Sequence, residues 1–364
     1  MKNFSINGFG RIGRLSARVW WSHHQDTLKL VGINTSGSMD IEGWAHLLKY
    51  DTTYGRFPGT VGYEKYQAAK GSSDADPLIG YLILDIMPSS ESSGVRIPVF
   101  AQRDPAKIPW GKHQVDVVIE STGAFTSEEK AKAHLIGGAK QVVISAPAKG
   151  GNVPTSVIGV NEAQIVERDR QNLIAVLNNA SCTTNCVAPV AIVIHERLGI
   201  AKAAMTTIHS YTDDQNLQDA SHKDLRRARA AASNIVPTST GAAIATTETI
   251  PELKGLFDGI SLRVPTITGS ITDFVFVVKR KTTVEEVNNF FRQAMLLDKF
   301  TGILAVTDEP IVSSDIIGRR ESAIVDLGLT QVIDGDLVKI FAWYDNEWGY
   351  SNRLVETVRD IANA

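Results

Sequence analysis

The chain has 364 residues, 43% of them hydrophobic and 21% charged, with a formal net charge of −3 at pH 7. This length favours two cores over one, and the near-neutral balance gives no electrostatic case for nucleic acid or an anionic membrane as the main partner. Two cysteines do not make a disulfide framework; no apolar leader and no run of roughly 20 apolar residues is visible, so a soluble, cytoplasmic, reducing setting is expected.

In chain order, "FSINGFGRIGRLSARVWW" reads as strand, glycine-rich turn and helix. Three short apolar, β-branched runs follow, Leu28–Asn34, Val115–Thr122 and Lys140–Pro147, suited to strands buried on both faces of a parallel sheet. Between the last two, "SEEKAKAHLIGGA" has a helical pattern with acids in its first turn. The alternation predicts an α/β, Rossmann-type doubly wound parallel sheet. The second half, with "KAAMTTIHSY", "GISLRVPT", "ITDFVFVVKR" and "VKIFAWYD", alternates over longer runs and predicts an α+β domain with a mostly antiparallel sheet. Ala68–Arg96 puts an apolar run between two Ser-rich stretches and reads as a loop-bounded insertion.

Gly8, Gly10 and Gly13 satisfy the G-x-G-x-x-G spacing between a strand and a helix. That arrangement lets a pyrophosphate approach the backbone at a helix N-terminus. The carboxylate that would bond a ribose 2′-hydroxyl is missing: the second strand ends in Asn34, Thr35 and Ser36, with no acid before Asp40. Small hydroxyl residues there suit a 2′-phosphate that a carboxylate would repel, so NADP is favoured, with NAD tolerated.

Both cysteines lie in "NNASCTTNC". Cys182 falls at the start of an apolar helix of about four turns, where the macrodipole favours a thiolate, while Cys186 lies one turn on and packs. His209, in "MTTIHSYTDDQ", is the candidate base for that thiol. Two cysteines four apart with no second pair fall short of a structural zinc site, and no metal is expected. Arg226, Arg227 and Arg229, the Thr/Ser/Gly turn Thr238–Gly241 and Arg263 are the donors a phosphate oxyanion needs, although "HKDLRRARAAA" also fits a solvated helix face.

Together, "INGFGRIGR", "AHLLKYD", "ESTGAFT", "ISAPAK", "NNASCTTNC", "TTIHSYTDDQ", "HKDLRRARAAA", "PTSTGAA" and "WYDNEWGYS" closely resemble the phosphorylating glyceraldehyde-3-phosphate dehydrogenase family, in order over nearly the whole chain. The resemblance implies oxidation of glyceraldehyde 3-phosphate to an acyl phosphate, with Cys182 as nucleophile, His209 as its base and hydride passing to NAD or NADP. It implies substrate-phosphate contacts from Thr212 and Arg263, and attacking-phosphate contacts from Ser181, Thr183, Arg227, Thr240 and Gly241. For the cofactor it implies Arg11 and Ile12 at the pyrophosphate, Arg103, Thr122 and Gly123 beside it, and Asn346 at the nicotinamide carboxamide with Tyr350 nearby.

By the same resemblance the cofactor domain covers residues 1–181, the catalytic domain 182–344, and a helix over 345–364 returns to the first. The assembly implied is a homotetramer in which the loop from about Ser210 to Asn234 reaches a neighbour's cofactor site. In that loop, Ala220-Ser221 stands where NAD-specific members usually carry Leu-Pro, which again points to NADP. Three alternatives remain: a dehydrogenase of another phosphorylated aldehyde such as erythrose 4-phosphate, with water as acceptor, a non-enzymatic dinucleotide-binding regulatory module, or a thiol peroxidase or redox sensor. An intact attacking-phosphate set argues against the first, and the full Cys182 and His209 context against the second. The third leaves the glycine turn and the arginines unexplained.

Overall fold

The computed structural model describes residues 1–85, 94–171 and 174–363. They form two compact units: Met1–Ser156 with Ala163–Asn179 and Leu354–Ala364, and Val157–Glu162 with Ala180–Arg353. The division differs from the expected boundaries after residues 181 and 344. Ala180 and Val157 pack with Ala188 of the second unit, and Arg353 gives its Nη1 to Gly302 O at 2.6 Å, which holds both segments there.

The first unit is built on a twisted eight-stranded sheet. Its centre is β1 (Lys2–Asn7), which enters α1 (Arg11–His23) and then β2 (Leu28–Thr35). β3 (Thr60–Lys65), β4 (Leu78–Asp85) and β5 (Val95–Ala101) lie to one side, and β6 (Val117–Glu120), β7 (Gln141–Ile144) and β8 (Val176–Asn178) to the other. The order is β8-β7-β6-β1-β2-β5-β4-β3. Pairing is parallel from β8 to β5 and antiparallel at β4 and β3. All four residues of β6 are buried, as strands covered on both faces require. The expected helix in "SEEKAKAHLIGGA" is broken at Lys132 into two single turns, Glu128–Ala131 and Ala133–Ile136.

The insertion needs correction. Its apolar run is β4, hydrogen-bonded on both edges within the sheet, and not a surface elaboration. Alternating burial along Leu78–Asp85 is what a strand with one packed face shows. The second Ser-rich stretch, at 86–93, lies outside the described residues.

The second unit holds the Cys182 helix, α2 (Cys182–Leu198), and a second eight-stranded sheet that is mostly antiparallel. At its middle β9 (Ile200–Ser210) runs parallel to β10 (Phe257–Val264) and antiparallel to β11 (Ser270–Val278), which pairs with β12 (Leu337–Tyr344). A single apolar core of α2 residues such as Val190 and Ile194 with Phe274, Phe276, Val338 and Ile340 fixes helix against sheet. The chain ends in α3 (Trp348–Ala362).

Candidate active site

In the first unit the glycine turn is shaped for close approach. Gly8 has φ +95°, and a Cβ there would sit 2.7 Å from Ser121 C and Thr122 N; one on Gly13 would meet Gly8 O at 2.1 Å. Gly10, by contrast, has nothing within 4 Å of its Cβ position. It caps α1 with no side-chain hydrogen bond, so the first-turn amides, those of Arg11 and half-buried Ile12 among them, are presented at an open glycine. That is a cradle for the pyrophosphate of a dinucleotide, and the residues present fit one. The Arg11 guanidinium pairs with Asp51 at 2.5 Å.

A buried carboxylate that the sequence reading missed stiffens this turn. Glu120 accepts from Asn7 Nδ2 at 2.5 Å, from Thr122 N at 2.8 Å and from the Thr122 hydroxyl. His134 Nε2 lies 3.0 Å from it, and Trp110 Nε1 donates to His134 Nδ1 at 3.0 Å. Because Nδ1 accepts, the ring proton sits on Nε2 and is donated to Glu120. Gly123 follows Thr122 on exposed backbone with φ +72°.

At the end of β2, Asn34 spends its side chain on Asn7 Oδ1 at 2.7 Å and on the Gln102 backbone. Thr35 is 2% exposed, and its hydroxyl donates to Phe100 O at 3.1 Å. Neither reaches outward through its side chain. Ser36 and Arg103 do line a cavity of about 310 Å³ at this strand end. The next acid in sequence, Asp40, is engaged by Lys65 at 2.9 Å and by Ala69 N at 2.7 Å, while Asp74 lies on the lining of the cavity.

In the second unit Ser181 caps α2, accepting from Thr184 N at 3.0 Å. Ala180 precedes it with φ +51°, a left-handed conformation that costs a non-glycine residue of order 1 kcal/mol. The Tyr350 hydroxyl donates to Ala180 O at 3.2 Å and holds that turn. Cys182 thus opens the helix with its Sγ 3.4 Å from His209 Nε2. His209 is 3% exposed. Its Nδ1 lies 2.7 Å from Ser210 O, and a proton given there leaves the Nε2 lone pair toward the sulfur, the tautomer a base needs.

The parallel register of β9 and β10 sets His209 opposite Arg263. Arg263 Nη1 comes within 2.8 Å of Nδ1 and donates to Ser210 O at 3.2 Å. Burial, then this guanidinium charge, push the imidazole down to about 3. Burial pushes the Cys182 thiol up, against the pull of Arg263 and of the Thr183 hydroxyl and amide. The helix end expected to favour a thiolate is outweighed by desolvation, and both partners rest neutral. Cys186 is fully buried and its thiol is also pushed up by burial, as expected of a packing residue.

The phosphate candidates gather on a carboxylate the sequence reading passed over. Asp214 accepts from the Thr212 hydroxyl and from Arg227 Nη1. Burial raises it, but the Thr212 hydroxyl and the charges of Arg263 and Arg227 hold it below the usual carboxylate range. Arg229 is drawn off to Asp219 at 2.8 Å, and the residues from Ser221 to Ala230 form turns and not a helix. Thr240 accepts from Ala242 N at 3.2 Å, and exposed Gly241 caps Ala242–Thr249 without a side chain. The Thr183 hydroxyl meets Tyr344 Oη at 3.0 Å, which meets Thr207 Oγ1 at 2.8 Å, so Tyr344 positions Thr183.

Asn346 is 5% exposed, and its Oδ1 collects Ser210 Oγ at 3.0 Å, Gly269 N at 3.1 Å and Ser270 Oγ at 2.9 Å. These donors fix the amide with Oδ1 turned onto Ser210, Gly269 and Ser270. Ser221 lies exposed on the 211–235 loop, its carbonyl 3.4 Å from Asn216 Nδ2. Among the described residues no group of three or more His, Cys, Asp or Glu could hold a metal, and no helix is long and apolar enough to cross a membrane.

Comparison with known proteins gives the family. A profile described as glyceraldehyde 3-phosphate dehydrogenase, NAD binding domain, matches residues 2–73 and 89–128. The corresponding C-terminal domain profile matches residues 181–346. The chain is 48% identical to a glyceraldehyde-3-phosphate dehydrogenase of Zymomonas mobilis and 49% identical to glyceraldehyde-3-phosphate dehydrogenase 2 of Streptomyces avermitilis, each over 358 residues and 98% of both chains. It is 46% identical to the chloroplastic glyceraldehyde-3-phosphate dehydrogenase A of Scenedesmus vacuolatus over 346 residues, 94% of this chain and 100% of that one. The chain belongs to the glyceraldehyde-3-phosphate dehydrogenase family.

Proposed function

We propose that this chain is an NAD(P)-dependent dehydrogenase that oxidises glyceraldehyde 3-phosphate to 1,3-bisphosphoglycerate in the presence of inorganic phosphate. The observation that carries the reading is the half-buried Cys182 against the buried His209 at 3.4 Å, with Arg263 against the imidazole. Cys182 Sγ attacks the aldehyde carbon, and His209 Nε2 takes up the proton displaced from the thiol. The resulting thiohemiacetal oxygen, its charge stabilised by the α2 N-terminus, takes that proton from the imidazolium, and His209 takes it back as the C–H bond breaks and the hydride leaves. A bound nicotinamide ring supplies the acceptor for that hydride. Cys182 then carries an acyl thioester. Phosphate oxygen attacks its carbonyl, the C–S bond breaks, and Cys182 leaves as a thiolate that His209 reprotonates.

Thr212 and Arg263 are assigned to the phosphate of the substrate, and Ser181, Thr183, Arg227, Thr240 and Gly241 to the attacking phosphate. Steady-state oxidation of glyceraldehyde 3-phosphate with and without inorganic phosphate tests the reaction. Turnover that needs phosphate is expected; undiminished turnover without it would assign water as acceptor and remove the acyl phosphate from the scheme.

The finer coenzyme reading is that NADP is used, with NAD tolerated, supported by Thr35 at the β2 end and by Ser221 on the loop. Homotetramer assembly in the cytoplasm is proposed from the family and from exposed Leu217, Leu225, Ile235 and Ile244 on the second unit. Light scattering on the eluting peak measures the assembly directly, and a monomer mass would remove that part of the proposal.

A further inference from the structure

Three neighbouring parallel strands of the first unit end side by side: β6 at Glu120, β1 at Asn7 and β2 one residue beyond Asn34. The register sets Asn7 directly between the other two. In an open sheet a ligand is held at these carboxyl ends, where the loops turn away. Here the ends are tied together beneath the loops by one buried relay of side chains. Asn34 Oδ1 accepts from Gln102 N at 3.0 Å, which turns its Nδ2 onto Asn7 Oδ1 at 2.7 Å. Asn7 is oriented in turn, and its Nδ2 donates to Glu120 Oε2 at 2.5 Å.

The Glu120 carboxylate is filled. Oε2 also faces His134 Nε2 at 3.0 Å, the nitrogen left with the proton because Trp110 Nε1 donates to Nδ1. Oε1 accepts from Thr122 N at 2.8 Å and from the Thr122 hydroxyl, which itself accepts from Ala124 N at 3.1 Å. Four donors thus converge on two oxygens, and each is committed to donating by its own chemistry or its own partner. What the carboxylate holds is the backbone on which the glycine turn closes. Ser121 C and Thr122 N lie 2.7 Å from the place of a Gly8 Cβ, and Ser121 Oγ donates to Gly8 O at 2.7 Å. Thr122 and Gly123 are exposed, so a buried group fixes, through one amide and one hydroxyl, a turn that meets solvent.

We infer that Glu120 is a positioning residue for the coenzyme. By holding Thr122 it keeps the 121–123 backbone and the Gly8 turn at the spacing that a dinucleotide's pyrophosphate bridge needs, while Asn7 and His134 saturate its other oxygen. The inference rests on the reading of the first unit as a dinucleotide site, and it assigns no contact between Glu120 and the coenzyme itself.

The test is Glu120→Gln in the full-length protein, because the amide keeps the shape but turns a donor toward two donors. Steady-state kinetics with NAD are paired with calorimetric titration of ADP-ribose and of AMP, of which only the first carries the pyrophosphate bridge. The coenzyme KM rises about tenfold and ADP-ribose weakens by a similar factor. AMP binding, kcat and KM for glyceraldehyde 3-phosphate stay within about twofold. Thr122→Val removes a hydroxyl from an exposed side chain; it gives the same pattern at a few-fold and carries the test alone if Glu120→Gln does not fold. A purely structural role lowers the melting temperature and the fraction of active protein, so kcat falls while the coenzyme KM stays put; that result overturns the inference. Equal loss of ADP-ribose and AMP also overturns it and leaves the dinucleotide site in place. Wild type that binds neither probe overturns the dinucleotide reading and this inference together.

Discussion

The two sites are built on opposite principles. The proposed catalytic pair lies in the second unit, with Cys182 half-buried and His209 3% exposed, its ring held between a carbonyl on one nitrogen and a sulfur on the other. The cavity at the β2 end, where the coenzyme's ribose is proposed to lie, is open and lined in part by Lys70, Asp74 and Arg103, all exposed. Burial gives the catalytic site its leverage: low dielectric displaces both the imidazole and the thiol from their ordinary ranges. The pocket works in a wet, screened setting, where each charge is worth less and selection comes from summing several contacts. Substitutions should therefore act steeply in the first and gently in the second.

Cys182→Ser is the severest way to break that contrast. Turnover should fall below detection while calorimetry shows coenzyme binding largely intact, because the hydroxyl is a far poorer nucleophile than a thiol; retained turnover would sink the mechanism. His209→Asn should reduce kcat by a factor on the order of 10² to 10⁴. Arg263→Gln should raise KM for the phosphorylated substrate and also move a titration. Burial, and after it the Arg263 charge, hold the imidazole down to about 3, so His209 stays neutral well below pH 6 in the parent. Loss of that charge moves its midpoint upward, readable in the imidazole resonances of a Cys182→Ala background. An unmoved midpoint would mean that burial alone sets it.

In the open cavity, Ser36→Asp should lower the NADP-to-NAD ratio of kcat/KM by roughly tenfold, since a new carboxylate on its lining repels the 2′-phosphate and accepts from a 2′-hydroxyl. The smallest change is Tyr350→Phe. It removes the bond to Ala180 O and should cost about 1 kcal/mol in chemical denaturation with a few-fold loss in kcat.

Local motifs were readable where the chemistry depends on neighbours in sequence. The glycine turn, the Ser181 cap and Cys182 each follow from residues within a few positions, and the structure places them as a strand–turn–helix and a helix end should. What escaped depends on register. Arg263 was expected at a phosphate, but its place against His209 comes from pairing two strands 54 residues apart, which no periodicity reveals. Glu120 with His134, and Tyr344 between Thr183 and Thr207, are polar groups inside apolar strands and helices, so hydrophobic patterning counted them as core. β4 was obscured because its flanking serines signal turns on both sides. Asp214 was plain in "YTDDQ" but unread, since an acid is the last residue expected among phosphate ligands.

Asp214 carries one more consequence. Its carboxylate already binds the Thr212 hydroxyl and the Arg227 guanidinium, and it stays ionised because those groups and Arg263 hold it so. Phosphate entry at these residues, where it is proposed to bind, would therefore be an ion exchange, not the filling of a naked positive hole. An exchange favours an incoming ion only to the extent that it outbids the resident one. A phosphate dianion brings twice the charge of Asp214 and gains by the swap, whereas a carboxylate or another monoanion merely replaces like with like. The carboxylate thus acts as a charge-reading threshold, set by a residue that never touches the reacting carbon.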